Sequence, residues 1–211
     1  MKITKYEHAC VVFEEQDERL VIDPGELTIL PELSQVAALV FTHVHGDHFS
    51  LDAVRYLLKH SPNMRVYAAP EVAEKLRAEG IPVQEITTDC TEIAGAFTLE
   101  IRCIDHAVVY ETSPCKNLTV VINEQVYHPG DSFVEPPKPV DVCLVPLAAP
   151  WSKAAEVMAF IGAAQAKQYV PIHDAVLSDA GKGFYNYWAG SAAEAKNRTY
   201  SVLKTGESIQ V

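Results

Sequence analysis

The sequence lacks any apolar run approaching about 18 residues, the minimum for a membrane-spanning helix, and its start, Met1-Lys2-Ile3-Thr4-Lys5-Tyr6-Glu7, has no apolar leader core. The expected location is therefore the cytoplasm, with no membrane partner. It also lacks any Cys-x-x-Cys pair: its five cysteines, Cys10, Cys90, Cys103, Cys115 and Cys143, are odd in number and scattered. They read as reduced, mostly buried thiols. In such a compartment the sequons at Asn117-Leu118-Thr119 and Asn197-Arg198-Thr199 carry no meaning. Positive charge is scarce as well, with 17 Lys and Arg against 28 Asp and Glu and a net charge of −11. Nucleic-acid binding rests on clustered cations, so no nucleic-acid partner is expected, and a polyanionic substrate would be repelled over most of the surface.

What is present is an ordinary globular composition, 48% hydrophobic and 21% charged over 211 residues. One domain spanning residues 1–211 is expected, large enough to bury about 70% of its unfolded surface without staples. Three short strands are expected at Lys2 to Tyr6, Ala9 to Phe13 and Arg19 to Ile22, and a buried one at Ala37 to Phe41. Ser50 is placed to cap a helix that runs to about His60, whose ring suits the negative end of the helix dipole. Strand, helix and strand follow at Arg65 to Ala69, Pro70 to Glu79 and Ile81 to Ile86, and then a strand at Ala96 to Ile104. A hairpin turning near Glu124 joins Leu118 to Asn123 with Gln125 to Tyr127, and the Pro-rich stretch Phe133 to Val140 reads as a loop. The remainder reads as a strand at Asp141 to Pro146, a helix at Ser152 to Ala166 and a strand at Gln168 to Pro171. A glycine-interrupted helix, Ser178 to Lys196, and one short closing strand follow. In that helix Tyr185, Tyr187 and Trp188 are expected to pack. No internal repeat is evident, although the elements divide into two halves of similar size.

The densest chemistry lies in Thr42-His43-Val44-His45-Gly46-Asp47-His48, four metal-capable side chains within six residues in the loop leaving a strand. Packing does not call for such a cluster, whereas imidazole and carboxylate together suit a catalytic transition-metal ion. His43 and His45 can reach one ion, and Asp47 with His48 a second. Elsewhere His106, Asp131 and His173 each stand at or just past a strand end. Asp23, before Pro24-Gly25, reads either as turn chemistry or as a group that orients a ligand imidazole. His128 is a ligand, a pocket residue or part of its Pro-Gly turn.

Together these residues resemble the metallo-β-lactamase superfamily, whose His-x-His-x-Asp-His motif residues 43 to 48 match in full. His8 in an early strand pair, Asp23-Pro24-Gly25 and Pro171-Ile172-His173 make the chain most similar to small hydrolases of the ascorbate-6-phosphate lactonase branch. The resemblance implies an α/β fold, a four-layer αβ/βα sandwich with two mixed sheets face to face and helices outside. It implies one metal on His43, His45 and His106, a second on Asp47, His48 and His173, and Asp131 bridging. The cofactors would be two divalent ions, zinc foremost, with manganese or iron as alternatives.

The implied activity is a metal-dependent hydrolase of a small-molecule ester, lactone, amide or phosphodiester, attacked by a hydroxide bridging the two ions, with Asp47 orienting it. His8, Tyr110, His128 and Asp174 are candidates for the leaving-group acid. The segments Tyr110 to Lys116, Phe133 to Pro139 and Pro150-Trp151 are expected to shape the pocket. The alternatives are an iron-dependent oxidoreductase, an RNA-processing nuclease disfavoured by the acidic charge, and a binding protein with a structural metal.

Overall fold

The computed structural model describes residues 1–110 and 115–211. Its first half builds strands β1 (Lys2–Lys5), β2 (Val11–Glu15), β3 (Glu18–Ile22) and β4 (Val36–Phe41), helix α1 (Leu51–His60), β5 (Arg65–Ala68), helix α2 (Pro70–Ala78) and β6 (Gln84–Glu85). The second half builds β7 (Cys90–Ala94), β8 (Phe97–Asp105), β9 (Lys116–Ile122), β10 (Val126–His128), β11 (Val140–Pro146), helix α3 (Ala154–Ala163), β12 (Ala166–Ile172), helix α4 (Asp179–Glu194) and β13 (Thr199–Tyr200). A last strand, β14 (Ser208–Gln210), returns to the edge of the first sheet.

The two sheets run β14-β1-β2-β3-β4-β5-β6 and β13-β12-β11-β10-β9-β8-β7. In each, a run of antiparallel pairs passes into parallel pairs, at β3/β4 in one and at β10/β11 in the other. Both are therefore mixed sheets, and both carry helices across the parallel half, where crossover connections require them.

Strand β4 shows how the layers form. Its run is apolar at every position, so both faces can be buried. Ala38 and Val40 point inward to a core shared with Leu99, Leu118, Val120 and Leu144 of the second sheet. Leu39 and Phe41 point outward to Val54 and Leu57 of α1 and Val72 and Leu76 of α2. On the other side Val157, Phe160 and Ile161 of α3 and Ala189 of α4 pack over Tyr127, Val145 and Tyr169. The result is the expected four-layer αβ/βα sandwich. Ser50 caps α1 by accepting from the Ala53 amide, and His60 returns its ring to the Tyr56 carbonyl at 2.8 Å.

Several boundaries differ from the sequence reading. The strand expected at Ile81 to Ile86 shrinks to two residues, because Pro82 offers no amide to a ladder. Strand β7 was not expected: its side chains alternate between half-buried and exposed on a sheet edge, and Ile93 faces solvent. Helix α3 begins at Ala154, since the Ser152 amide and hydroxyl are both used in a turn with Ala149. Helix α4 runs unbroken through its glycines. Tyr185 packs, but Tyr187 and Trp188 are exposed, 67% and 59%, on its outer face. The closing stretch supplies two short strands, one to each sheet. Among the described residues no helix is long and apolar enough to cross a membrane.

Candidate metal centre

Asp23 follows β3, His43 to His48 follow β4, His106 follows β8, Asp131 follows β10 and His173 follows β12. Stacking the sheets brings these strand ends to one edge of the sandwich. Two backbone bonds tie the halves there: Leu118 N–H to the Thr42 carbonyl at 2.9 Å, and His173 N–H to the His8 carbonyl at 2.8 Å. A cavity of about 530 Å³ lined by Asp17, Glu18, Val36, His60 and Arg65 lies at the other end of β4 and contains none of these residues.

Two sets of donor atoms converge. His43, His45 and His106 offer ring nitrogens within 4.8 Å of one another, as do the donors of His8, Asp47, His48 and His173. Asp131 lies between the sets. Its Oδ1 is 3.1 Å from His48 Nε2, and its Oδ2 is 3.2 Å from His173 Nε2 and 3.5 Å from His106 Nε2. Yet Nε2 of His43, His48, His106 and His173 and Oδ1 of Asp131 are buried without a hydrogen-bond partner.

The opposite ring nitrogens explain why Nε2 is the free one. His106 Nδ1 donates to the Ala107 carbonyl at 2.5 Å and His173 Nδ1 to the Ala148 carbonyl at 2.6 Å. His48 Nδ1 donates to Asp23 Oδ2 at 2.7 Å. Thr42 gives its own proton to Asp23, so its oxygen accepts from His43 Nδ1 at 3.0 Å. In their neutral forms all four imidazoles are thus held in the tautomer whose Nε2 lone pair faces the centre. Orphaned, pre-aimed nitrogen and carboxylate donors fit a divalent transition ion, because an unpartnered buried polar atom is otherwise costly.

Asp23 both turns the chain and orients a ligand. It adopts φ 50°, its carbonyl accepts from the Gly25 amide, and its carboxylate takes the Thr42 amide and hydroxyl as well as His48. Gly25 is required here, since a Cβ would lie 2.0 Å from the Asp47 carbonyl oxygen. His8 is fully buried. Its Nδ1 accepts from the Ala175 amide at 3.3 Å, which leaves Nε2–H to donate to Asp47 Oδ2 at 3.0 Å, and its ring lies tilted by 47° against that of His173, centroids 3.8 Å apart.

The remaining sequence candidates sit elsewhere. His128 has no free ring nitrogen: Nδ1 accepts from the Gly130 amide and Nε2 donates to the Ala9 carbonyl, so it is a structural prop and cannot serve as an acid. The Asp174 carboxylate is committed to Lys5, 3.1 Å away, and approached by Lys182 at 3.8 Å. Tyr110 is 73% exposed, and residues 111–114 of the expected pocket segment lie outside the described ones.

Two contributors escaped the sequence reading, and a third, Trp151, was expected only to shape the pocket. Thr42 is the relay just described. Asn117, seen only as part of a meaningless sequon, accepts from the Asp131 amide and donates to the Pro129 carbonyl, shaping the Asp131 loop. Trp151 donates its indole N–H to Asp131 Oδ2 at 2.7 Å, 20 residues away in sequence. Nothing local marks either partner.

Without ions the cluster is charged unevenly. Burial, and then the neighbouring imidazoles, hold His43 well below the usual histidine range, and His45 is lowered by the same causes. Burial opposes charge on His48 too, but Asp131 and Asp23 on either side hold it well above that range. His173 is likewise opposed by burial yet raised to about 9 by Asp131 and Asp47. Burial would raise Asp47 and Asp131, but the surrounding imidazoles keep both carboxyls low.

Comparison with known proteins finds relatives over the length of the chain. Protein Rv0786c of Mycobacterium tuberculosis is 30% identical over 216 residues, covering 99% of each chain. A UPF0173 metal-dependent hydrolase of Staphylococcus carnosus is 26% identical, over 82% of this chain and 85% of its own. Among solved structures, Igni18, described as a metallo hydrolase from the archaeon Ignicoccus hospitalis, superposes with a TM-score of 0.75. It is 17% identical and covers 99% of this chain and 97% of its own, a likeness of fold. A family model described as Beta-lactamase superfamily domain matches residues 2–173, and the chain belongs to that family.

Proposed function

We propose that the chain is a metal-dependent hydrolase that loads two divalent ions, zinc foremost, and cleaves an ester, lactone, amide or phosphodiester bond in a small molecule. The observation that carries this reading is the set of five buried, unpartnered donor atoms, four imidazole Nε2 and Asp131 Oδ1, converging from both sheets. A purely structural zinc site needs four donors and no open side. Here His45 and Asp47 remain partly open to solvent, giving a substrate a way in.

His43, His45 and His106 would hold one ion, and Asp47, His48 and His173 the other, with Asp131 shared. Bound ions supply Lewis acidity and lower the pKa of water from about 15.7 to about 7. Asp47, fixed by His8 through one carboxylate oxygen, would hold the attacking water and receive its proton. The water oxygen bonds to the carbonyl carbon or phosphorus, the bond to the leaving group breaks, and the proton passes to that leaving group. The negative surface favours a neutral or singly charged substrate.

Elemental analysis of protein purified without added metal, beside Asp131→Ala, tests the reading. About two ions per chain in the wild type, with at least one lost in the variant together with turnover, is the expected result. Retention of both ions and of activity in Asp131→Ala would overturn the shared-ligand assignment, and iron in place of zinc would redirect the search to oxygen chemistry.

A further inference from the structure

Apart from Ile93 on β7, Val202 after β13 and the outer face of α4, the exposed large apolar side chains among the described residues gather on the loops that carry candidate ligands. Leu27 and Ile29 lie past Asp23, Val108 and Val109 past His106, Val134 past Asp131 and Val176 past His173. Soluble proteins seldom gather apolar side chains around a polar cluster unless something covers them.

The part of this rim beside His106 and Asp131 is built, not incidental. The indole of Trp151 is pinned over the centre by its bond to Asp131, edge-on to His106 with ring centroids 6.3 Å apart and to Phe133 at 4.9 Å. The Ala107 amide donates to the Asp131 carbonyl at 3.2 Å, which ties the start of the segment carrying Val108 and Val109, 58% and 46% exposed, to the Asp131 loop. The cations nearby are spoken for: Lys116 pairs with Asp105 at 2.7 Å and Lys138 with Glu100 at 2.6 Å. Among the described residues of these loops, Lys153 alone stands outside an ion pair.

We infer that Val108, Val109, Phe133 and Trp151 form an apolar shelf that receives an uncharged alkyl or acyl chain of the substrate, next to the bond presented to the candidate metal centre. The cleavage part of this statement rests on the hydrolase reading; the shelf itself does not. Such a chain would gain affinity by covering apolar surface that the free protein leaves wet, whereas an anionic flank would find no cluster of free cations.

Two measurements separate the two ideas. In metal-free Trp188→Phe protein, Trp151 is the only tryptophan left of two, and its emission reports ligands on the shelf. Titration with hexanamide, octanamide and decanamide should shift that emission, with affinity rising about twofold to fourfold per added methylene. The Val108→Ser/Val109→Ser double variant, whose changes are at exposed positions, should flatten that dependence while keeping its metal content. No emission change, or an unchanged slope in the double variant, would overturn the shelf. Zinc-loaded protein is then assayed on p-nitrophenyl acetate, butyrate and hexanoate, where kcat/KM should rise by a similar factor per methylene and flatten in the double variant. Binding that follows chain length with no ester, lactone, amide or phosphodiester cleaved would sink the hydrolase reading and leave the shelf standing. Cleavage indifferent to chain length would do the reverse.

Discussion

Loading of the two donor sets should depend on pH in different ways. His43 and His45 are held low by burial and sit neutral at neutral pH, so they can accept an ion without shedding a proton. His173 is raised to about 9 by Asp131 and Asp47, and His48 is held well above its usual range by Asp131 and Asp23. At pH 7, freeing His173 Nε2 therefore costs roughly two pH units, or about 3 kcal/mol, which weakens apparent metal affinity about 100-fold. Affinity at that set should climb about tenfold per pH unit between pH 7 and 9, and more steeply where His48 also deprotonates. Zinc titration against a chromophoric chelator, repeated at about pH 6.5, 7.5 and 8.5, reads both equivalents, and calorimetry in two buffers of different ionisation enthalpy counts released protons. The first equivalent should be nearly indifferent to pH and the second should release one to two protons. Equal slopes for both, or no proton release near neutrality, would refute the reasoning.

The same groups set the stability of the metal-free protein. Because the folded pKa of His173 is raised, its contribution, about 3 kcal/mol, is complete below about pH 6.5 and is lost as pH rises through about 9. The metal-free Tm should fall across that window, and zinc should remove most of the fall; a flat metal-free profile would count against the charged pair. Gly130→Ala should destabilise by about 2–4 kcal/mol in urea, since that residue has φ 57° and a Cβ would meet Asn117 Oδ1 at 2.1 Å. An unchanged urea midpoint would show that the Asn117 clamp yields freely. Lys5→Ala leaves the buried Asp174 with only the more distant Lys182 and should cost about 2–4 kcal/mol. Thr42→Val removes the relay between Asp23 and His43, and should weaken metal binding about tenfold to 100-fold with a smaller loss of Tm. Wild-type zinc affinity in that variant would leave Thr42 no orienting role.

Periodicity and punctuation carried most of the fold. The apolar run of β4, Ser50 before α1, Pro70 at the start of α2 and the Asn123-Glu124 turn of the β9–β10 hairpin are local signals, and the structure places elements there. Strand β7 was missed, and β6 was expected too long, because edge strands are held by backbone pairing to a neighbour, which leaves no strong apolar alternation to read.

For the candidate site, the residue types and the density of residues 43 to 48 named the chemistry before any coordinates, and strand-end positions marked His106, Asp131 and His173. A linear pattern could not decide which ring nitrogen each histidine presents, because that is set by partners such as Ala148 and Asp23, 25 residues from His173 and His48 in the chain. Nor could it separate His8, which bonds Asp47, from His128, whose ring is spent on backbone. Sequence by itself determined most of the elements and the kind of donor, since these follow from side-chain chemistry and local spacing, while the sandwich was implied by the family resemblance that residues 43 to 48 carry. Only the tertiary structure decided the tautomers, the Asn117 and Trp151 contacts to Asp131 and the charge on each imidazole, because these depend on directional bonds and burial created when the two sheets meet.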